Sequence, residues 1–497
     1  MATSNATLCQ NYIGGRWVNS TSKQTHRITN PAHGSSVVAT VQASVVEDAE
    51  DAVQASANAL NSWSSTPAPQ RSAILYKAYE LMRDQEDEFA RTITLEEGKP
   101  LADARGEVKR SLNIIEYAAG EGRRMFGYTT PSELTSTLAY TVRRPVGVVA
   151  IITPWNFPLA IPTWKIAPAL ICGNTVVFKP ASSTPLSAVK LVEIFEKAGL
   201  PPGVLNLVTG TGASIGDHIV THPKVQGISF TGSTEIGAKL YAQAAERLKK
   251  VQCEMGGKNA VIVLADADIN HALGGIVQAA FGSTGQRCTA TSRVIVEESA
   301  YDSFIQELIR HTRRLKVGDG MDPEVDVGPT ASEAQFRKII EYINIGTSEG
   351  ARLIYGGKAL TGRQNEGGYY VEPTIFADVD PKMRIAQEEI FGPVLTVFKA
   401  KDLEEAIAIA NNVQFGLSSS IYCRDLAKAF QYVEQVEAGM VHINSPTLGG
   451  EVHLPFGGTK ASGVGAREQG TEAVNFFSEV VTVYVDYAGN RTQAKFI

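Results

Sequence analysis

A cysteine stands among small and polar residues in Phe281-Gly282-Ser283-Thr284-Gly285-Gln286-Arg287-Cys288, and a carboxylate precedes it in Glu254-Met255-Gly256-Gly257-Lys258. These are the residue types of a thiol nucleophile and a general base. Gly, Gln and Arg around Cys288 argue against apolar core filling, and the cationic Arg287 is expected to favour the thiolate, which is the nucleophilic form. A second feature is Phe230-Thr231-Gly232-Ser233-Thr234-Glu235-Ile236-Gly237, which follows a strand-like run and opens a helix expected to reach about Lys249. Glycine there permits close backbone approach, Ser and Thr cap the helix, and its free N–H groups and dipole favour a pyrophosphate. The spacing is not GxGxxG, and a plain capped turn would use the same residues. His218 and His222 have the i, i+4 spacing of a helical metal pair, but Ile219, Val220 and Thr221 supply no glutamate between them, so no metal site is expected.

The elements that must position these groups alternate along the chain. Runs at 148–152, 175–178, 204–208, 225–230 and 260–264 are rich in β-branched residues and read as strands. Helical stretches lie between them, as at 185–198, where Leu186, Val189 and Val192 recur on one face. This is the βαβ rhythm of a parallel sheet covered on both faces. A second α/β run from Ser292 to about Val441 predicts a second domain. The N-terminal part reads as mostly helical, over 46–97 and 103–124, and 480–487 alternates like an exposed edge strand.

Composition narrows the class. With 497 residues, 43% hydrophobic and 20% charged, the chain can bury two or three cores. A net charge of -6 without a basic stripe argues against a nucleic-acid partner. Cys9, Cys172, Cys253, Cys288 and Cys423 are odd in number and widely spaced, unlike a disulfide framework, so a reducing cytoplasm is expected; Cys172 and Cys253 sit in apolar or strand contexts that suit packing. Residues 1–10 lack the pattern of a signal peptide, and Pro154, Pro158, Pro162, Lys165 and Pro168 interrupt the apolar region 146–178, so no membrane partner is expected.

The stretches around Cys288 and Glu254 resemble the nucleophile and base signatures of the aldehyde dehydrogenase superfamily, and 230–237 resembles its nucleotide-binding turn. Four further segments resemble that family in the right order. Thr153-Pro154-Trp155-Asn156-Phe157-Pro158 resembles the loop with the oxyanion-hole asparagine, and Glu388-Glu389-Ile390-Phe391-Gly392-Pro393 the segment that holds the nicotinamide ribose. Pro455-Phe456-Gly457-Gly458 resembles a segment near the substrate mouth, and Arg467-Glu468 a later pair that orients the base. From residues alone, Asn156 could instead cap a turn before Pro158, and Glu389 could be a solvated helix charge.

The resemblance implies an α/β, aldehyde dehydrogenase-like fold. A Rossmann-like cofactor domain would take 1–126 and 145–255, a catalytic α/β domain 256–445, and a β oligomerisation flap 127–144 with 470–497, while 446–469 returns to the cofactor domain. It implies NAD(P)-dependent oxidation of an aldehyde through a thiohemiacetal and thioester on Cys288, with Asn156 holding the oxyanion, Glu254 activating water and Glu468 orienting Glu254. NADP or NAD, or both, would be bound by Thr153, Pro154, Trp155, Lys179, Ala181, Ser182, Gly212, Phe230, Gly232, Ser233, Gly237, Glu389 and Phe391. NAD-specific relatives often carry glutamate where this chain has Ser182, so NADP should be accepted, unless Ser182 and Ser183 only cap the next helix. Substrate would meet Arg110, Trp164, Arg287 and Phe456; Arg110 is the first candidate for a substrate carboxylate, against a plain solvated helix charge.

The segments 287–293, 162–165 and 467–470 are most similar to 2-oxoglutarate semialdehyde (2,5-dioxopentanoate) dehydrogenases. Succinate semialdehyde dehydrogenases typically carry arginines at the positions of Trp164 and Gly282, and both are absent here. A broad-range aldehyde dehydrogenase is the other alternative. CoA-acylating relatives usually lack the base that Glu254 supplies, and a non-catalytic protein of this fold should have lost Cys288 or Glu254. A homodimer or homotetramer acting on a small aldehyde acid is expected.

Overall fold

A computed structural model describes residues 7–362 and 365–488; the remainder of the 1–126 and 470–497 segments lies outside the described residues. Two sheets carry the structure. The first has eight strands in the order Gly463–Val464, Lys250–Glu254, Val225–Thr231, Val148–Ile152, Thr175–Lys179, Leu205–Leu207, Asn11–Ile13 and Arg16–Val18. Its central five strands are parallel, and antiparallel partners close both edges. Helices cover both faces, which is why strands such as Val148–Ile152 and Thr175–Lys179 are apolar runs rather than alternating ones.

The second sheet has seven strands, with Asn259–Val263 between Thr291–Glu297 and Ser418–Tyr422. The chain therefore passes from one sheet to the other through Met255–Lys258, immediately after Glu254. Cys288 lies between the helix Ile269–Phe281 and the strand Thr291–Glu297 of the second sheet. Nucleophile and base thus come from different sheets and lie at the seam between them. A third, antiparallel sheet joins Ser478–Asp486, Thr137–Pro145 and Thr129–Thr130 into a separate ribbon.

Several elements differ from the sequence expectation. Between residues 7 and 45, where the sequence pattern marks no element, the chain forms short strands, of which Asn11–Ile13 and Arg16–Val18 extend the first sheet. Three-residue strands have too little length for a periodic signal, and their pairing comes from Leu205–Leu207. The helical region 46–97 is three helices, Val46–Ser65, Ala68–Arg83 and Glu86–Glu97, the first break falling at Pro67 and the last helix ending on left-handed Gly98 (φ 98°). The helix after residue 233 stops at Ala245, short of Lys249. Helix Gly470–Phe476 buries Ala473, Val474 and Phe476 in the core of the first sheet, so the C-terminal flap strand starts at Ser478 and not at 470.

Candidate active site

The turn before Cys288 is left-handed over three residues, Ser283 (φ 49°), Thr284 (φ 60°) and Gly285 (φ 66°). A Cβ at Gly285 would stand 2.3 Å from the Gly392 carbonyl oxygen, so this position needs glycine. Asp103, from the helix Leu101–Glu121, accepts hydrogen bonds from the Ser283 N–H (2.8 Å) and hydroxyl (3.0 Å) and pairs with Arg287 at 2.9 Å. Arg287 is therefore neutralised by Asp103. The expectation that it lowers the Cys288 pKa fails: burial, with Glu254, Glu389 and Glu468 as like-acting charges, pushes the thiol up to about 12, against a smaller pull from the Thr289 N–H. The resting group is a thiol.

Two clefts meet at Cys288. The first, about 160 Å³, is lined by Pro154, Trp155, Asn156, Gly232, Ser233, Glu389 and Phe391 on its way to the thiol. The second, about 250 Å³, reaches the same thiol past Arg110, Phe157, Trp164, Arg287 and Phe456. All four residues expected at the substrate line the second cleft. Of those expected at the cofactor, Thr153, Lys179, Ala181, Ser182, Gly212, Phe230 and Gly237 do not line the first cleft.

Several of these support the cleft from adjoining strand ends. The Thr153 N–H donates to the Lys179 carbonyl (3.2 Å), and Ile152 stands in register with both Lys179 and Phe230. Lys179 is buried, and its ammonium has one acceptor, the Pro180 carbonyl at 3.2 Å; burial lowers it to about 8. The Ser182 hydroxyl, just beyond Ala181, donates to the Gly210 carbonyl at 2.8 Å, while Thr184 holds the cap position of helix Pro185–Lys197, so Ser182 is not that helix's cap. Gly212 opens a single wide turn, Gly212–Gly216, and has open space around it.

Ser233 holds the N-cap position of Thr234–Ala245, but its side chain makes no cap hydrogen bond, contrary to expectation. Its hydroxyl and the first N–H groups of that helix are available to a ligand. A Cβ at Gly232 would meet the Phe230 ring at 2.5 Å, and one at Gly237 the Met255 sulfur at 2.5 Å, so both glycines are required by packing. Glu389 is no solvated helix charge: it is half-buried and accepts the Gly257 N–H at 2.9 Å, and burial raises its pKa. Phe391, at φ 61°, meets Trp155 edge-on with centroids 5.4 Å apart.

Asn156 donates one amide N–H to the Gln286 carbonyl (3.0 Å), which leaves its second N–H for the cleft. Among the described residues the Cys288 backbone N–H has no protein acceptor. Glu254 is buried beside Gly457, where a Cβ would come within 2.2 Å of its Oε1; its Oε2 has no partner among the described residues. Burial first, and then the charge of Glu468, raise its pKa well above the usual carboxylate range, against Lys165 and Arg467. Glu468 accepts from Trp164 Nε1 (2.7 Å) and from Lys165, and these bonds occupy it. It acts on Glu254 through charge, not through the orienting contact expected from sequence.

Arg110 donates to the Gly450 carbonyl and to Gln469 Oε1 (3.0 Å) and lies 5.5 Å from the Trp164 ring, with no carboxylate partner among the described residues. Asp103, Gly106 and Glu107 line the same cleft, and with Arg110 they follow i, i+3, i+4, i+7 spacing, a signal that could have located them. Gln335 and Lys338 line the first cleft from helix Glu333–Ser348, and Gln335 donates to the Phe391 carbonyl at 2.7 Å; no local motif marks them. Elsewhere, Glu50 reaches Nε2 of both His218 and His222 at 3.1 Å, supplying a carboxylate that the local sequence lacks. The Lys224 N–H donates to His222 Nδ1 (3.1 Å), which places that ring's proton on Nε2 toward Glu50; the arrangement is hydrogen-bonded, unlike a metal-ligating histidine.

Comparison with known proteins matches this geometry. The model described as "Aldehyde dehydrogenase family" matches residues 17–483. The alpha-ketoglutaric semialdehyde dehydrogenase of Bacillus subtilis is 45% identical over 96% of this chain and 97% of its own. The succinate-semialdehyde dehydrogenase [NADP(+)] of Escherichia coli is 40% identical over 95% and 96%. The crystal structure of betaine aldehyde dehydrogenase from Staphylococcus aureus in complex with NAD+ superposes with a TM-score of 0.95 at 34% identity, over 98% of this chain and 96% of that one.

The raised pKa of Cys288 sets a pH dependence. Below about 12 the thiolate fraction grows roughly tenfold per pH unit, so alkylation of the ligand-free protein by iodoacetamide should accelerate by about that factor per unit between about pH 7 and 9. The other four cysteines are buried, and Cys288→Ala gives the background. A flat profile would mean that the thiolate is already formed at neutral pH.

Proposed function

The chain belongs to the aldehyde dehydrogenase family, and from that premise we propose that it oxidises 2-oxoglutarate semialdehyde to 2-oxoglutarate, with NADP or NAD as hydride acceptor. The observation that carries this reading is the meeting of two clefts at one thiol, so that a hydride acceptor and an aldehyde can approach Cys288 from opposite sides. The 45% identity to an enzyme named for this substrate supports the choice of aldehyde.

The Cys288 thiol yields its proton to water in the cleft as Sγ adds to the aldehyde carbon. The charge that develops on oxygen is held by the free Asn156 N–H and the Cys288 backbone N–H, donors fixed before the reaction begins. When bound, the nicotinamide cofactor supplies the hydride acceptor. Glu254 then takes a proton from the water that hydrolyses the thioester, and its raised pKa makes it a stronger base than an exposed carboxylate. Held beside Gly457 and lining neither cleft, Glu254 has to rotate or act through a bridging water.

The first cleft fits such a cofactor: Ser233 and the helix N-terminus suit a pyrophosphate and Glu389 suits ribose hydroxyls, while the under-bonded ammonium of Lys179, outside the cleft lining at an adjoining strand end, suits a ribose or phosphate oxygen of a cofactor that extends past it. Ser182 brings no negative charge toward a 2′-phosphate. In the second cleft Arg110 is the cation without a counter-ion, whereas Arg287 already has Asp103, so Arg110 is the better anchor for the substrate carboxylate. We take the first sheet as the core of the cofactor domain, the second as that of the catalytic domain and the ribbon as the flap, which is amended to begin at 478. The ribbon exposes Val480 and Tyr484, and the edge strand Met440–Ile443 exposes Val441 and Ile443, which supports a homodimer or homotetramer. No described helix is long and apolar enough to cross a membrane, and five free cysteines favour a cytoplasmic setting.

Three outcomes are expected. Glu254→Ala should release one burst of NAD(P)H and then stall, and Cys288→Ala should abolish both phases; steady turnover by Glu254→Ala would remove its role as base. NADP should be accepted, and a kcat/KM for NAD more than about a hundredfold above that for NADP would contradict the role given to Ser182. Arg110→Leu should lose roughly ten- to a hundredfold in kcat/KM on 2-oxoglutarate semialdehyde, the size of a lost charged hydrogen bond, while sparing an uncharged aldehyde of similar length. Equal loss on both aldehydes, or none, would show that Arg110 does not read the carboxylate.

A further inference from the structure

We propose that Lys99 is a positioning residue for Asn156, fixing its main-chain carbonyl and thereby the direction of its side-chain amide; the inference rests on the thiol-addition reaction proposed above. Lys99 lines neither cleft and belongs to none of the segments first singled out for chemistry. It projects from the elbow between helices Glu86–Glu97 and Leu101–Glu121 and is completely buried. The elbow is rigid, because a Cβ at left-handed Gly98 would stand 2.8 Å from both Pro31 and Pro329, and the Leu101 N–H donates to the Gly320 carbonyl (2.8 Å).

The Lys99 ammonium has three close neighbours, and a second buried carboxylate, Glu97 Oε2, lies 3.9 Å away. The ammonium pairs with Glu107 Oε2 at 2.8 Å, donates to the Asn156 carbonyl, and sits 3.9 Å from the centroid of the Phe157 ring. The other oxygen of Glu107 accepts the N–H groups of Leu159 (2.9 Å) and Ala160 (3.0 Å), at the start of helix Ala160–Ile171. A single buried ion pair therefore grips the 156–160 loop on both sides of Pro158, the lysine from its carbonyl and the glutamate from its N–H groups. The far end of the Asn156 side chain is tied to the Gln286 carbonyl, two residues before the nucleophile.

Burying an ion pair is expensive, and an apolar pair of similar volume would hold two helices together at least as well. What an apolar pair cannot do is direct the carbonyl of residue 156. Donors to a developing oxyanion act only when aimed at the place where charge appears, and a displacement of about 1 Å can cost on the order of a hundredfold in rate. Lys99 supplies that aim without touching the substrate.

The test is the rate of the first-turnover burst of NADPH, measured by stopped flow on the full-length enzyme with 2-oxoglutarate semialdehyde. Lys99→Met alone would leave Glu107 unpaired, so it is made in the Glu107→Gln background, where the amide oxygen still accepts from Leu159 and Ala160; Glu97, whose pKa burial already raises to about 7, takes up a proton when the lysine charge is lost. Lys99→Arg, which keeps the charge but changes its reach, carries the same comparison if the double variant does not fold. Each should slow the burst by roughly ten- to a hundredfold relative to its own background, with KM for the aldehyde and NADPH affinity altered less than about threefold. In Asn156→Ala protein the same changes should alter the burst by less than about twofold, because no amide is left to aim. Equal slowing with and without Asn156, or no slowing, would overturn the positioning role. Absence of any Cys288-dependent NADPH formation in the unaltered protein would instead overturn the reaction on which the inference rests.

Discussion

Desolvation at the seam between the two sheets, nearly complete at Glu254 and Glu468 and partial at Cys288 and Glu389 where the clefts reach them, is the constraint on which the site depends. Cys288, Glu254, Glu468 and Glu389 share that region, and desolvation is the largest influence on the acidity of each. Four acidic groups cannot all ionise easily in one desolvated space, so each binds its proton more tightly than it would in water. The same desolvation strengthens every hydrogen bond aimed at a developing charge. The seam therefore holds reactive groups quiet and makes two N–H donors effective.

Charges that must remain in such a place are paired, and the pairs organise the surrounding loops. Lys165 with Glu468, Lys99 with Glu107 and Arg287 with Asp103 each link one segment of the site to another. Glycines make room for this packing where a Cβ has no space, as at Gly457 against Glu254 and Gly256 against Glu389. Arg110 is the exception among the cations of the second cleft, held by neutral acceptors and facing open space.

Much of this was legible in the sequence because its cause is local. A strand buried on both faces must be apolar throughout, so 148–152 and 175–178 announce themselves, and a cysteine among glycine, glutamine and arginine announces itself as chemistry. Where the cause is tertiary, sequence reasoning failed. Arg287 adjoins Cys288 in the chain, yet its charge is answered by Asp103 from a distant helix, and the acidity inferred from adjacency has the wrong sign. The strands Asn11–Ile13 and Arg16–Val18 owe their form to an edge of the first sheet, and Gln335 and Lys338 reach the first cleft from an otherwise ordinary amphipathic helix. Glu50 meets His218 and His222 only because two helices cross.

The central claim is that both clefts serve one covalent centre, and the most direct measurement is the mass of the intermediate itself. Glu254→Ala protein is mixed with NADP and 2-oxoglutarate semialdehyde, quenched in acid and digested, and the peptides are weighed. A thioester adduct confined to the peptide that contains Cys288, and absent when NADP is withheld, is the predicted result. An adduct on a peptide containing Cys9, Cys172, Cys253 or Cys423, or product formed with Cys288 unmodified throughout, would contradict the account.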